Sequence, residues 1–247
     1  MAPSKAILIG ISGPSSSGKT TVSRLLRDVL PRSFILHEDD FYKTDAEIPN
    51  HPTAGVQDWD CLESINMPAL QSALSHIKAH GTSPPDFVSK EDQNSVGTSN
   101  VDKSVVNELT ARAQAAFADV RQVAIIDGFL LFSEEMKDIR SLFDIKLFLR
   151  TNYATAKQRR GARSGYVTLE GFWEDPPGYV DQVVWPNYVK DHAFLFENGN
   201  VEGELKTSVC EQLGVHGMPK TAAGDMTKCL EWAYGILERE LSKQKQT

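Results

Sequence analysis

The chain has 247 residues, 40% hydrophobic and 24% charged, with 33 acidic against 26 basic side chains and a net charge of −7. That is the composition of a globular protein of one large domain, and an acidic chain without a Lys/Arg block is a poor candidate for binding nucleic acid. Three scattered cysteines, Cys61, Cys210 and Cys229, form no CxxC pair, which argues against zinc or a disulfide framework and for reduced thiols in a cytoplasmic protein.

Lys5 to Ser12 reads as a buried strand, apolar, β-branched and too short for a signal sequence or a membrane span. "GPSSSGKTT" follows, and Lys19 to Leu30 then reads as a helix, with Val22, Leu25, Leu26 and Val29 at 3–4 spacing and Pro31 ending it. "SFILHEDD" is a second strand running into carboxylates, and Asp60 to Lys78 has helical spacing. Ser83 to Lys103 is polar and poor in large apolar residues, which predicts a surface insertion.

Val105 to Ala118 adds a helix, "RQVAIIDGFLLF" a third strand and "FDIKLFLR" a fourth. Tyr153 to Arg163 is a basic helix, and "TLEGFWEDPPGYVD" a loop broken by Pro and Gly. Asp181 to Lys190 is predicted helical, "HAFLFENG" a fifth short strand, Glu204 to Gly224 loop, and Asp225 to Lys243 a closing amphipathic helix. Strands alternating with helices predict an α/β fold: a three-layer sandwich around a five-stranded parallel sheet.

Gly13-x4-Gly18-Lys19-Thr20 satisfies the phosphate-loop pattern, and the flanks supply the strand and helix it requires. The glycines permit dihedrals that a Cβ forbids, and the loop amides and the helix N-terminus form an anion site. The whole loop, Gly13, Pro14, Ser15, Ser16, Ser17, Gly18, Lys19, Thr20 and Thr21, is therefore expected to hold a nucleotide's phosphates. Lys19 would reach the β- and γ-phosphates and Thr20 would place its hydroxyl on Mg²⁺.

Ligands of open α/β sheets bind beyond the carboxyl ends of the strands. Asp39 and Asp127 both emerge there. Asp127, after "AII", is a candidate Mg²⁺ ligand, and Asp39 a candidate general base for an alcohol. Asp40, Phe41 and Tyr42 continue the same turn and are candidates for touching the acceptor. A solvated acidic turn is the bland alternative for "EDDF". Arg159, Arg160 and Arg163 in "QRRGAR" suit a lid that neutralises charge over a γ-phosphate, against the plainer reading of a solvated basic face. Gly161, Gly165 and Gly171 would let such a lid open and close.

Taken in order, "GISGPSSSGKTT", "DDFYK", "DWDCLESINM", "IIDGFLLF", "RRGAR" and "PPGYVDQVVWPNY" resemble the nicotinamide riboside kinases, a branch of the uridine-kinase-like P-loop kinases. The resemblance spans about 5–190. It implies a single P-loop kinase domain over 1–247 with a small helical lid at about 157–180; the polar insertion at about 83–103 has no counterpart in the family pattern. The implied reaction is ATP- and Mg²⁺-dependent phosphorylation of the 5′-hydroxyl of nicotinamide riboside, giving the mononucleotide for NAD synthesis.

By the same resemblance Asp39 is the base and lies near the metal, Lys19 and Arg163 assist catalysis, and Thr20 and Asp127 serve the metal. Trp59 stacks on the pyridine ring and Asp60 holds ribose hydroxyls. Arg159 and Arg163 touch ATP, Arg160 touches the acceptor, Tyr166 closes the ring slot, and Val201 and Glu202 flank adenine. Trp59 stands where the family has Tyr, Asp127 where it commonly has Glu, and one extra residue separates Arg163 from Tyr166. A flat pyridinium cation suits an indole face. The partner is a small molecule, with no nucleic acid or membrane, for a monomer or weak homodimer in the cytoplasm. Kinases of uridine, pantothenate or a sugar would use the same loop, base and lid. A nucleotide switch would leave Asp39 and the arginines idle, and no NKxD guanine motif occurs.

Overall fold

A computed structural model describes residues 6–90, 99–119, 122–163, 165–168 and 170–244. Residues 91–98 of the expected insertion lie outside the described residues. In chain order the elements are β1 Ile7–Ser12, α1 Lys19–Val29, β2 Ser33–His37, α2 Met67–His80, α3 Lys103–Ala116, β3 Val123–Gly128, α4 Lys137–Arg140 and β4 Ile145–Phe148. Then come α5 Tyr153–Gly161, β5 Tyr166–Val167, β6 Phe172–Trp173, α6 Trp185–His192, α7 Thr207–Leu213, β7 Val215–Gly217 and α8 Met226–Gln244.

Five strands form a parallel sheet in the order β2-β3-β1-β4-β7. Alternation along the strands sends successive side chains to opposite faces. Ile9 and Ile11 of β1, with Ile125 of β3, pack against Val22 and Leu26 of α1, Leu109 of α3 and Leu230 of α8. Leu8 and Ile126 pack on the other face against Leu70, Leu74 and Ile77 of α2 and Tyr188 of α6. Burial on both faces is why these strands read as continuous apolar runs.

Two expectations are corrected. The fifth strand is Val215–Gly217, inside the stretch read as loop, not "HAFLFENG". Ala193–Leu195 forms a 3₁₀ turn after α6, and Phe196 makes a single bridge to Leu205. Leu195 and Phe196 are apolar because they plug the core, Phe196 lying edge-on to Phe148 at 6.0 Å. The second helix begins at Met67 rather than Asp60, capped by Asn66, whose side chain accepts from the Ala69 amide at 3.2 Å, with Pro68 in its first turn. Asp58, Trp59 and Asp60 therefore sit on a loop.

The segment read as a helical lid holds α5 and an antiparallel hairpin of β5 and β6, pairing Tyr166 with Trp173 and Val167 with Phe172. A π-helical stretch, Val180–Val184, leads from it into α6. The described part of the insertion packs inward through Phe87, stacked on Phe41 at 5.6 Å and 16°. Among the described residues no helix is long and apolar enough to cross a membrane. The three cysteines are buried and free.

Candidate active site

The carboxyl ends of the central strands set the site. Registered pairing puts Ile11, Asp127 and His37 in one row, with Gly13 just beyond. At Gly13 φ is 143°, and a Cβ there would lie 2.4 Å from the Leu149 carbonyl, so the loop passes β4 only as glycine. Gly18 (φ 100°) and Ser16 (φ 62°) turn the chain into α1. Lys19 Nζ reaches back over the loop to the Pro14 carbonyl at 3.1 Å. Burial lowers the Lys19 pKa, opposed by Asp39 and Asp127.

A cavity of about 680 Å³ opens over this row. That is the size of an ordinary small-molecule site. It is lined by the phosphate loop through Ser15, Ser16, Gly18, Lys19, Thr20 and Thr21. The same cavity is lined by Asp39, Tyr42, Trp59, Asp60 and Asp127 and by Arg159, Arg160, Arg163 and Tyr166. Gly13, Pro14 and Ser17 support the loop from behind without lining the cavity.

His37 Nδ1 and Asp127 Oδ1 lie 2.5 Å apart in the floor. Burial would raise the Asp127 pKa, but His37, the Thr20 hydroxyl and Lys19 overcome it, so the group is held below the usual carboxylate range. Asp39 goes the other way. Burial and the neighbouring Asp127 push it up to about 6, against the pull of Lys19 and His37. Two carboxylates with opposed shifts beside a lysine divide into a charge holder and a proton acceptor.

The donors also fit a hard cation. Asp127 Oδ2 is buried with no partner among the described residues, and the Thr20 hydroxyl lies beside the same carboxylate. Among the described residues no cluster of three or more His, Cys, Asp or Glu could hold a metal ion. One or two carboxylates and a hydroxyl, completed by phosphate oxygens and water, is the set that Mg²⁺ accepts.

Glu38, which the sequence reading passed over, ties the ends of β2 and β3. It is fully buried, its Oε2 accepts from the Leu130 amide at 3.0 Å, and burial raises its pKa to about 8. A Cβ on Gly128 would meet that oxygen at 2.4 Å and the Glu38 Cβ at 2.6 Å. Gly128→Ala is therefore expected to cost about 1–3 kcal/mol by overpacking, read as a lower Tm in thermal unfolding. An unchanged Tm would show that the two strand ends are not packed this closely.

Several expected contacts fall elsewhere. Asp40 does not line the cavity; its oxygens accept from the Ser89 hydroxyl at 2.7 Å and the Lys90 amide at 2.6 Å, anchoring the insertion. Lys90 then joins the cavity wall. Phe41 is buried in the core. Val201 and Glu202 stay outside the cavity, Glu202 accepting from the Tyr153 amide at the start of α5 at 2.8 Å.

The arginines have distinct partners. Arg159 reaches the Ser16 carbonyl at 3.3 Å, and Arg163 donates to the Tyr166 hydroxyl at 2.8 Å. Arg160 is buried between two carboxylates. It donates to both Asp60 oxygens at 2.8 and 2.9 Å, to Asp175 at 2.6 and 3.1 Å and to the Ser15 hydroxyl at 3.0 Å. Burial opposes its charge, but Asp60, Tyr166 and Asp175 outweigh burial and hold its pKa well above the usual arginine value. Tyr166 lies over the Arg160 and Arg163 guanidinium groups at 5.2 and 5.3 Å.

Trp59 is 4% exposed, edge-on to Tyr42 at 5.4 Å and tilted against Trp173 at 5.5 Å. Its amide donates to the Tyr179 hydroxyl at 2.9 Å. His37, Trp173, Asp175 and Tyr179 are the neighbours that sequence reasoning missed. His37 lay in the strand "SFILHEDD", Trp173 and Asp175 in the stretch read as loop, "TLEGFWEDPPGYVD", and Tyr179 in the motif "PPGYVDQVVWPNY", none with a role assigned.

Comparison with known proteins finds close relatives. A nicotinamide riboside kinase of Schizosaccharomyces pombe is 43% identical, covering 81% of this chain and 85% of that protein. One of Saccharomyces cerevisiae is 38% identical over 83% and 85%, and nicotinamide riboside kinase 1 of Homo sapiens 32% identical over 75% and 76%. No family model matches the chain. Among solved structures, a possible uridine kinase from Bacillus stearothermophilus overlaps at TM-score 0.41 and 16% identity, covering 77% of this chain and 84% of that one. An unliganded sugar kinase from Janibacter overlaps at 0.44 and 15%, covering 94% and 95%. Overlaps that loose support no argument.

Proposed function

The chain belongs to the nicotinamide riboside kinases, and from that premise we propose that it transfers the γ-phosphoryl group of ATP to the 5′-hydroxyl of nicotinamide riboside, giving nicotinamide mononucleotide for NAD synthesis. The observation that carries the reading is one cavity lined both by the phosphate loop and by Asp39, Trp59 and Asp60. A donor and an acceptor would meet there with Asp39 between them.

In this reading the loop amides and Lys19 hold the β- and γ-phosphates. Asp39 orients the 5′-hydroxyl and takes its proton as the oxygen bonds to phosphorus and the bond to the ADP oxygen breaks. Arg159 and Arg163, aimed into the cavity from α5 and the turn after it, offset the charge on the moving phosphoryl group. Trp59 gives the pyridinium ring an aromatic face. Asp127, Thr20 and Asp39 would hold Mg²⁺, which when bound would neutralise phosphate charge.

The same reading takes 1–247 as one kinase domain with a small-molecule acceptor, working in the cytoplasm as a monomer or weak homodimer. Turnover of nicotinamide riboside, uridine, pantothenate and a sugar with ATP tests it. Nicotinamide riboside is expected to show the highest kcat/KM. A clear preference for uridine or a sugar would overturn the acceptor assignment.

A further inference from the structure

The segment that joins α2 to α3 brings the cavity a cation that the reading above does not use. α2 packs on one face of the sheet through Leu70, Leu74 and Ile77, and α3 on the other through Leu109 and Ala113. The chain between them therefore has to cross the sheet. It crosses at β2, the edge strand beside β3, beyond that strand's carboxyl end. There Phe87 stacks on Phe41, and the two oxygens of Asp40 hold Ser89 and Lys90. Lys90 on one side of the crossing, and Ser99 and Asn100 on the other, line the cavity.

Lys90 is fixed by its main chain rather than its tip. Its amide donates to Asp40 Oδ1 at 2.6 Å, and Asp40 directly follows Asp39, the candidate base. Its ammonium has no hydrogen bond or ion pair among the described residues. Arg160, by contrast, is already held by Asp60 and Asp175. We infer that Lys90 contacts the phosphoryl group that moves, the γ-phosphate of the donor, as an anion-binding residue supplied by the insertion. Two points of chemistry select that group. An ammonium repels a pyridinium cation, so Lys90 does not serve the acceptor's ring. A residue hung beside Asp39 meets the donor at the end that Asp39 meets, which is the end transferred. A point charge on a flexible stem can also follow that group from one oxygen to the other.

This inference rests on phosphoryl transfer from ATP in this cavity, but not on which acceptor is used. Lys90→Met and Lys90→Arg are compared with the wild type by titration with ATP and with ADP, each with Mg²⁺ and without acceptor. Folding is followed by thermal unfolding. Both substitutions keep the main-chain bond to Asp40, so the crossing stays anchored. Methionine keeps the stem and removes the charge. It is expected to weaken ATP binding about tenfold, the scale of one lost hydrogen bond to a charged group, with ADP binding within about twofold of wild type. Arginine is expected to recover most of that loss. Equal losses for ATP and ADP, or no loss for either, would overturn the assignment. A wild type that binds ATP but phosphorylates no nucleoside would overturn the proposed reaction, while the titrations still decide Lys90. A wild type that does not bind ATP would overturn both.

Discussion

Asp39→Asn is expected to fold, to keep ATP binding through the phosphate loop, Thr20 and Asp127 with a smaller loss in affinity than in turnover, and to lose about 10²–10⁴ in kcat, the range that one positioned general base supplies. Asparagine keeps the shape of the side chain and its ability to orient a hydroxyl. It cannot accept the proton. Asp39 suits that task because burial and Asp127 raise its pKa to about 6, within reach of neutrality, while Lys19 and His37 stop it rising further. Asp127, held low by His37, Thr20 and Lys19, is the poorer base and the better charge holder. Steady-state kinetics alongside ATP titration separates the two properties. A near-normal kcat in the variant would remove Asp39 as the base.

Arg160→Ala is expected to destabilise the fold by about 3–5 kcal/mol, because removing one partner leaves buried charge uncompensated. For a domain of this size that is a fall of about 10 °C in Tm. The side chains of Arg160 and Asp60 are 6% and 5% exposed, whereas Asp175 is 19% exposed and more easily rehydrated. Most of the cost therefore falls on Asp60. Arg160→Lys restores the charge without the planar fork that meets two carboxylates, so it is expected to recover only part of the loss. Thermal unfolding of both variants checks this, and an alanine variant as stable as the wild type would mean that Asp60 finds water.

Local chemistry made the donor half legible. Gly13, Gly18, Lys19 and Thr20 are read from spacing because a phosphate loop is built from consecutive backbone, and Asp127 from the apolar run before it. The acceptor half draws on the chain at long range. Arg160 and Asp60 are 100 residues apart, and His37 and Asp127 are 90 apart. No periodicity reports such partners.

Apolar runs report burial rather than pairing, which is why Phe196 passed for part of a strand while the short Val215–Gly217 did not. Asp40 shows the same limit from another side. Its neighbour Asp39 faces the cavity, and nothing local reveals that Asp40 turns to grip the insertion.

The Lys19 ammonium, resting on the Pro14 carbonyl, makes recognition an exchange. An incoming group must offer more than a neutral amide oxygen already gives. An uncharged ligand of the right shape gains almost nothing from the swap, whereas a phosphate brings a full negative charge to the same ammonium. The loop thus discriminates by comparing partners, and its selectivity for anions is set by a competitor that the protein carries within itself.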